Sequence, residues 1–259
     1  MLHRSTLRFL KDLRDNNNVA WADAHREAWH AAREDLMALG RDLIAQAKGF
    51  DSAIAVKGED AMTLTRFNRD PRFRRGGPPY KSDVDLFFNS GGKAGRAGFY
   101  LHVEPGGCCA GGSLFVPDRA ALHRVRDLIA HHTDEWDAII DAKPFRAAFP
   151  DGIECQDAVK TIPRGYDADH PAVEYLRMKG WGTRAKLSEK QVWLLKNSTR
   201  AVGATPDIQP SIKRQECHKL GQWTKYVLQA CTHLIYWNED MHGAGGGGKP
   251  GECRKPARH

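Results

Sequence analysis

The chain has 259 residues and a formal net charge of +7, with 41% hydrophobic and 27% charged residues. That length accommodates one large domain or two small ones, with enough chain for a proper core, and the composition excludes a disordered tail protein. No apolar run approaches the roughly 18 residues needed to span a bilayer. The N-terminus has no apolar stretch of a secretory signal, so a cytoplasmic protein with reduced thiols and no membrane partner is expected.

Leu7, Phe9, Leu10 and Leu13 fall on one side of a helix over 5–15, with Ser5 or Thr6 as its cap. The Asn16-Asn17-Asn18 run ends it, because Asn competes for backbone hydrogen bonds. Trp29, Ala32, Leu36, Leu39 and Leu43 draw one apolar stripe on a helix over 21–47. Gly40 inside it costs about 1 kcal/mol relative to Ala, which predicts a bend or an end there. The period then changes. Residues 97–104 alternate, with Ala97, Phe99, Leu101 and Val103 on one face and Tyr100, His102 and Glu104 on the other. Residues 62–67, 84–88 and 110–116 read as further strands. Gly91-Gly92 and Gly106-Gly107 supply turns between them, which favours an antiparallel meander.

Helices return after the strands. Asp118 caps a segment with Ala121, Leu122, Val125, Leu128 and Ile129 on one face, and Trp136, Ile139 and Ile140 mark another, ended near Lys143 by Pro144. Ser188 and Gln191 form a capping box before Val192 and Leu195. Pro206 opens a last helical part, where Cys217, Leu220, Thr224, Val227, Cys231 and Leu234 keep one stripe. The order of helices, strands and helices, with no βαβ repeat, is an α+β pattern. The expected architecture is a single domain over 1–242, an antiparallel sheet of four to six strands with helices packed around it. Its helical C-terminal part covers 186–240, and a Gly-rich basic tail covers 243–259.

The charge excess has an address. Residues 66–75 carry five Arg and one Asp, residues 241–259 a net of +3, and the rest is formally neutral. A basic surface over the whole molecule is thereby excluded. The six cysteines show no CxxC and no paired metal-ligand spacing. Cys108-Cys109 reads as small buried filler rather than a vicinal bridge, since neighbouring strand residues point to opposite faces.

The densest chemistry is Arg66-x-x-Arg69-Asp70-x-Arg72-Phe73, followed by Pro78-Pro79-Tyr80-Lys81. Guanidinium forks suit carboxylate or phosphate oxygens. Arg66, Arg69 and Arg72 would bind a small anionic ligand, Asp70 would orient them, and Tyr80 and Lys81 would close the site. Two other readings stand beside it. One is an internal ion-pair network of a structural or partner-binding domain, in which loss of Arg69 leaves a carboxylate unpaired. The other is nucleic-acid backbone binding by the loop and tail with Phe67, Phe73 and Tyr80 interleaved, disfavoured by the neutral remainder.

These residues resemble the mainly bacterial and fungal family called domain of unknown function 2461. Arg66, Arg69, Asp70, Arg72, Phe73, Pro79, Tyr80 and Lys81 match its signature, while Gly76-Gly77 stand where an acidic-Lys pair is expected, leaving Arg74 or Arg75 to compensate. Asn16-Asn17-Asn18 with Trp21, the stretch Tyr100 to Pro105 with Gly111-Gly112, and Pro163 to Pro171 with Leu176-Arg177 are similar too. The likeness covers roughly residues 5–185. It implies a fold and brings no established activity.

Asp167, Asp169 and His170, with Arg164 upstream, have chemistry of their own. Carboxylates with an imidazole suit a divalent metal or acid–base work. The simpler reading is a turn, with Asp169 or His170 capping a helix whose first residue is Pro171. If residues 66–81 and 164–170 converge on one cleft, Asp70, Asp169 or His170 would supply the acid–base group and Arg164 a further anion contact. His102 and Glu104 share a strand face and read as a polar outward face. His131-His132 at a helix end read as dipole partners. No P-loop, no Gly-x-Ser-x-Gly, no His-Glu-x-x-His and no dinucleotide fingerprint occurs, so no reaction, metal or cofactor is indicated, and neither is an oligomeric state.

Overall fold

The first helix, α1 (Arg4–Asp15), forms where the stripe predicts, and Phe9, Leu10 and Leu13 are buried. Its cap is different. His3 precedes the helix without a side-chain cap, and Thr6 lies inside it, its hydroxyl donating to Asp35 at 2.6 Å. Asp35 also accepts from the His3 N–H at 2.6 Å, so a carboxylate from a later helix does the work expected of Ser5 or Thr6. The structure is a computed structural model and describes residues 2–47, 56–70, 72, 76–89, 97–114, 119–155 and 157–195. The expected turn at Gly91-Gly92, the cap at Asp118 and the C-terminal helices and tail from residue 196 onward lie outside the described residues.

The expected helix over 21–47 is two helices, α2 (Val19–Ala24) and α3 (Arg26–Ala47), separated at His25. Asn18 caps α2 by accepting from the Trp21 N–H at 3.0 Å. α3 does not end at Gly40 but runs on to Ala47. A Cβ at position 40 would collide with the Met62 sulfur, so the glycine marks a close approach between helix and sheet.

Five strands form one antiparallel sheet in the order of the chain: β1 (Met62–Leu64), β2 (Val84–Phe88), β3 (Ala97–Val103), β4 (Cys109–Leu114) and β5 (Trp181–Lys186). The α+β expectation and the strand number hold. β1 is shorter than expected, and β5 was not anticipated. Between β4 and β5 come α4 (Arg119–His131), α5 (Thr133–Ile140), α6 (Lys143–Ala148) and α7 (Val173–Arg177), and α8 (Glu189–Leu195) follows. Pro144 opens α6 rather than only ending α5, because its missing N–H is harmless in a first turn. The Ser188–Gln191 capping box forms as expected. Among the described residues no helix is long and apolar enough to cross a membrane.

Register fixes which sheet residues share a face. Leu86 pairs Leu101, Leu101 pairs Ala110, and Ala110 pairs Ala185. Among the described residues, the buried helix packing falls on this face. Val84, Leu86, Phe99, Leu101 and Val103 are buried with Leu10, Leu13, Leu36 and Leu39 of α1 and α3. At the β5 edge, Trp181 is buried with Val125, Ile129, Trp136 and Leu176, and Ala185 with Phe145 and Phe149. Each fully buried Leu or Val stabilises the fold by about 1.5–3 kcal/mol relative to exposure. Among the described residues, no apolar cluster lies on the opposite face, which presents Asp85, Tyr100, His102, Cys109, Arg184 and Lys186. Cys108 and Cys109 are buried free thiols, as the filler reading requires.

Candidate functional site

The arginine-rich segment is the far end of the β1–β2 hairpin. Beyond the strands proper, the two arms stay paired: the Thr65 N–H donates to the Asp85 carbonyl at 2.9 Å, Lys81 to Phe67 at 2.6 Å and Arg69 to Pro79 at 3.0 Å. Phe67 is the anchor, buried with its ring 4.6 Å from that of Trp29. Tyr80 packs its ring edge-on to Trp29 at 5.1 Å. Its backbone is held from outside the sheet by Asn17, whose amide donates to the Tyr80 carbonyl at 2.9 Å and accepts from the Tyr80 N–H at 3.0 Å. Arg69 Nε donates to the same carbonyl at 3.0 Å. The Asn-rich turn and the Pro-Tyr-Lys block, far apart in sequence, are thus halves of one lock.

Asp70 takes Arg72 as its partner, at 2.7 Å to Nη2 and 3.1 Å to Nε. That hydrogen bond, with the Arg66 charge nearby, holds the Asp70 carboxyl below its usual range. Arg69 therefore has a carbonyl and not a carboxylate as partner, and its removal leaves no buried charge. This corrects the expectation attached to the ion-pair reading. Arg66 is exposed and Lys81 half-buried, and neither side chain makes a hydrogen bond or ion pair among the described residues.

The later block lies on α4. The Tyr166 hydroxyl donates to Asp127 at 2.7 Å, and burial together with that carboxylate raises the phenol well above its usual range. Asp167 accepts from the Asp169 N–H at 3.0 Å, a turn held by its own side chain, while Asp169 and Arg164 are exposed. His170 Nδ1 accepts from the Ala172 N–H at 3.1 Å, which leaves the proton on Nε2, facing the Ala130 carbonyl at 3.1 Å. Both ring nitrogens are occupied. Pro171 is not the first residue of a helix, because α7 begins at Val173. Tyr166 packs against the buried cluster that includes Trp181 of β5, whereas the hairpin belongs to β1 at the other edge. Five strands at a spacing of about 4.8 Å put those edges about 19 Å apart. Residues 66–81 and 164–170 do not converge on one cleft.

A different constellation does assemble, on the face without helices and next to the hairpin. Asp85 of β2 stands directly across from His102 of β3. His102 Nδ1 lies 2.7 Å from Asp85 Oδ1, and Nε2 lies 3.4 Å from Glu104 Oε2. Asp83, two residues before Asp85, points to the same side, and one donor atom each from Asp83, Asp85 and His102 fall within 4.8 Å of one another. All three are half-buried. The hydrogen bond to Asp85 raises the His102 pKa against the opposing effect of burial, with Glu104 and Asp83 adding to the rise. Cys109, paired with His102 in register, is a neutral thiol pushed up to about 11 by burial. Beside it, the Tyr100 hydroxyl crosses over Gly111 to the Thr183 carbonyl at 3.3 Å.

Sequence reasoning weighed His102 and Glu104 and set them aside as an outward polar face. Asp83 and Asp85 were missed. Their signal is the Asp-x-Asp spacing at the start of a strand, which places both carboxylates on one face. Imidazole and carboxylates here can pass a proton between them or coordinate a cation.

No curated protein and no solved structure matches the chain. A family does, and its match runs beyond the limit near residue 185 that the visible blocks set. Over residues 5–212 the chain matches, and belongs to, the family described as conserved hypothetical protein DUF2461.

Proposed function

We propose that the protein binds a small anionic ligand, phosphate- or carboxylate-bearing, in the cytoplasm. The site is the mouth where the end of the β1–β2 hairpin meets the helix-free face of the sheet. The observation that carries this reading is Lys81, a half-buried residue whose ammonium makes no hydrogen bond or ion pair among the described residues, and Arg66 makes none either. Ammonium and guanidinium groups without a protein partner can form charge-assisted hydrogen bonds to carboxylate or phosphate oxygens. Arg69 uses Nε to hold Tyr80 and keeps its terminal nitrogens for a ligand. Arg72 is presented together with Asp70. Arg164 belongs to the far edge and leaves the site. Should the bound ligand react, the acid–base group is His102, held by Asp85, and not His170.

Thermal-shift titration with inorganic phosphate, then with a panel of phosphorylated and carboxylate metabolites at low salt, tests the reading. A rise in Tm that Lys81→Ala and Arg66→Ala abolish and Arg164→Ala retains is the expected result. No rise with any member of the panel refutes it. Titration with single-stranded and double-stranded DNA at about 50 mM salt separates the nucleic-acid alternative, whose affinity would fall steeply as salt is raised.

A further inference from the structure

We propose that Asp83, Asp85 and His102 bind one divalent first-row transition-metal ion on the helix-free face of the sheet. The donors come from the segment entering β2, from β2 and from β3, and the cross-strand pairing of Asp85 with His102 fixes their relation. Donor atoms bound to a metal at about 2.1 Å sit about 3–4 Å from one another. The three here already lie within 4.8 Å, so side-chain rotation alone closes the set. Two carboxylates neutralise the ion's charge. The imidazole favours zinc, iron, copper or nickel over magnesium and calcium, which take oxygen ligands, and the two carboxylates also suit manganese.

Glu104 completes the arrangement. A metal-bound histidine normally gives its second N–H to a carboxylate, which fixes the ring and raises its basicity. His102 turns Nδ1 toward Asp85 and Nε2 toward Glu104, so Glu104 stands in that outer position. On binding, the Nδ1 proton leaves to solvent and the metal takes its place between the imidazole and Asp85. Half-burial keeps further coordination positions accessible to water or to a ligand oxygen. The metal site does not rest on the anion reading, and its test uses the ion alone.

The experiment is titration of the full chain, stripped with EDTA, with Mn²⁺ in a phosphate-free buffer, following free Mn²⁺ by electron paramagnetic resonance. Mn²⁺ avoids the cysteines, whose soft thiolates prefer zinc. One bound ion per chain is expected, with binding lost in Asp85→Asn and His102→Gln. Glu104→Gln should weaken it by about 10–100-fold while leaving one ion per chain. Asp83 makes no hydrogen bond or ion pair among the described residues, so Asp83→Asn keeps the fold's contacts and serves where the other two variants fail to fold. Substoichiometric binding, or binding that Asp83→Asn and His102→Gln leave unchanged, overturns the site. Failure of phosphate to bind while Mn²⁺ does would remove the anion reading only.

Discussion

Asn17→Ala tests whether the Asn-rich turn is an architectural part. It removes both hydrogen bonds to the Tyr80 backbone. The Tyr80 carbonyl keeps Arg69 Nε at 3.0 Å, but its N–H loses the acceptor. With a net value of about 1 kcal/mol per bond, and about 1–3 kcal/mol for a donor left unsatisfied away from water, the expected loss is about 2 kcal/mol. For a domain of this size that lowers Tm by about 4–8 °C. The neighbours calibrate the measurement. Asn18→Ala removes the cap of α2 and should cost about 1 kcal/mol. Asn16, exposed and bonded by its amide only to the Asp12 carbonyl, should change stability by no more than about 0.5 kcal/mol. Urea unfolding followed by tryptophan fluorescence, with equal m-values, gives all three. If Asn17→Ala is no worse than Asn16→Ala, the lock between the turn and the hairpin does not exist.

Two further outcomes follow from the sheet. Gly111→Ala places a Cβ against the Thr183 carbonyl and 3.0 Å from the Tyr100 hydroxyl, so it should destabilise by about 1–3 kcal/mol and speed amide exchange in β5; wild-type stability would show that β4 and β5 do not approach so closely. With its thiol pushed up to about 11, Cys109 holds about one thiolate in a thousand at pH 8. Half-exposed Cys155 should therefore alkylate before Cys109, and Cys109 should gain about tenfold in rate per pH unit toward 11. Peptide mapping after iodoacetamide reads both sites, and equal labelling at pH 8 would contradict the burial of Cys109.

The elements that could be read from the sequence are those whose signal is local. The alternation at Phe99, Leu101 and Val103 and the stripe of α1 are strong because one face is fully buried. The Asp167 turn was legible because it needs only its own neighbours. β5 also alternates, with Trp181, Thr183 and Ala185 inward, yet only one of these is large and apolar, and the strand lies between helices. Gly40 misled because its reason is Met62, a residue on another element. The site failed for the same cause. Arginines advertise themselves within a short stretch, whereas Asp85 and His102 meet only through the β2–β3 register. No local pattern states the length of the turn that sets it.

The late arrival of β5 has a consequence for how the chain folds. β1 to β4 pair with their sequence neighbours, contacts whose closure entropy is small. β5 must cross the whole interval from Gly111 to Arg184, with four helices between, before it reaches β4. Until then the outer edge of Cys109–Leu114 is an unpaired strand able to accept a strand from another molecule. A nascent or truncated chain that stops before Trp181 carries that adhesive edge; in the finished sheet β5 takes its place at the edge, where Glu154 pairs with Gly182.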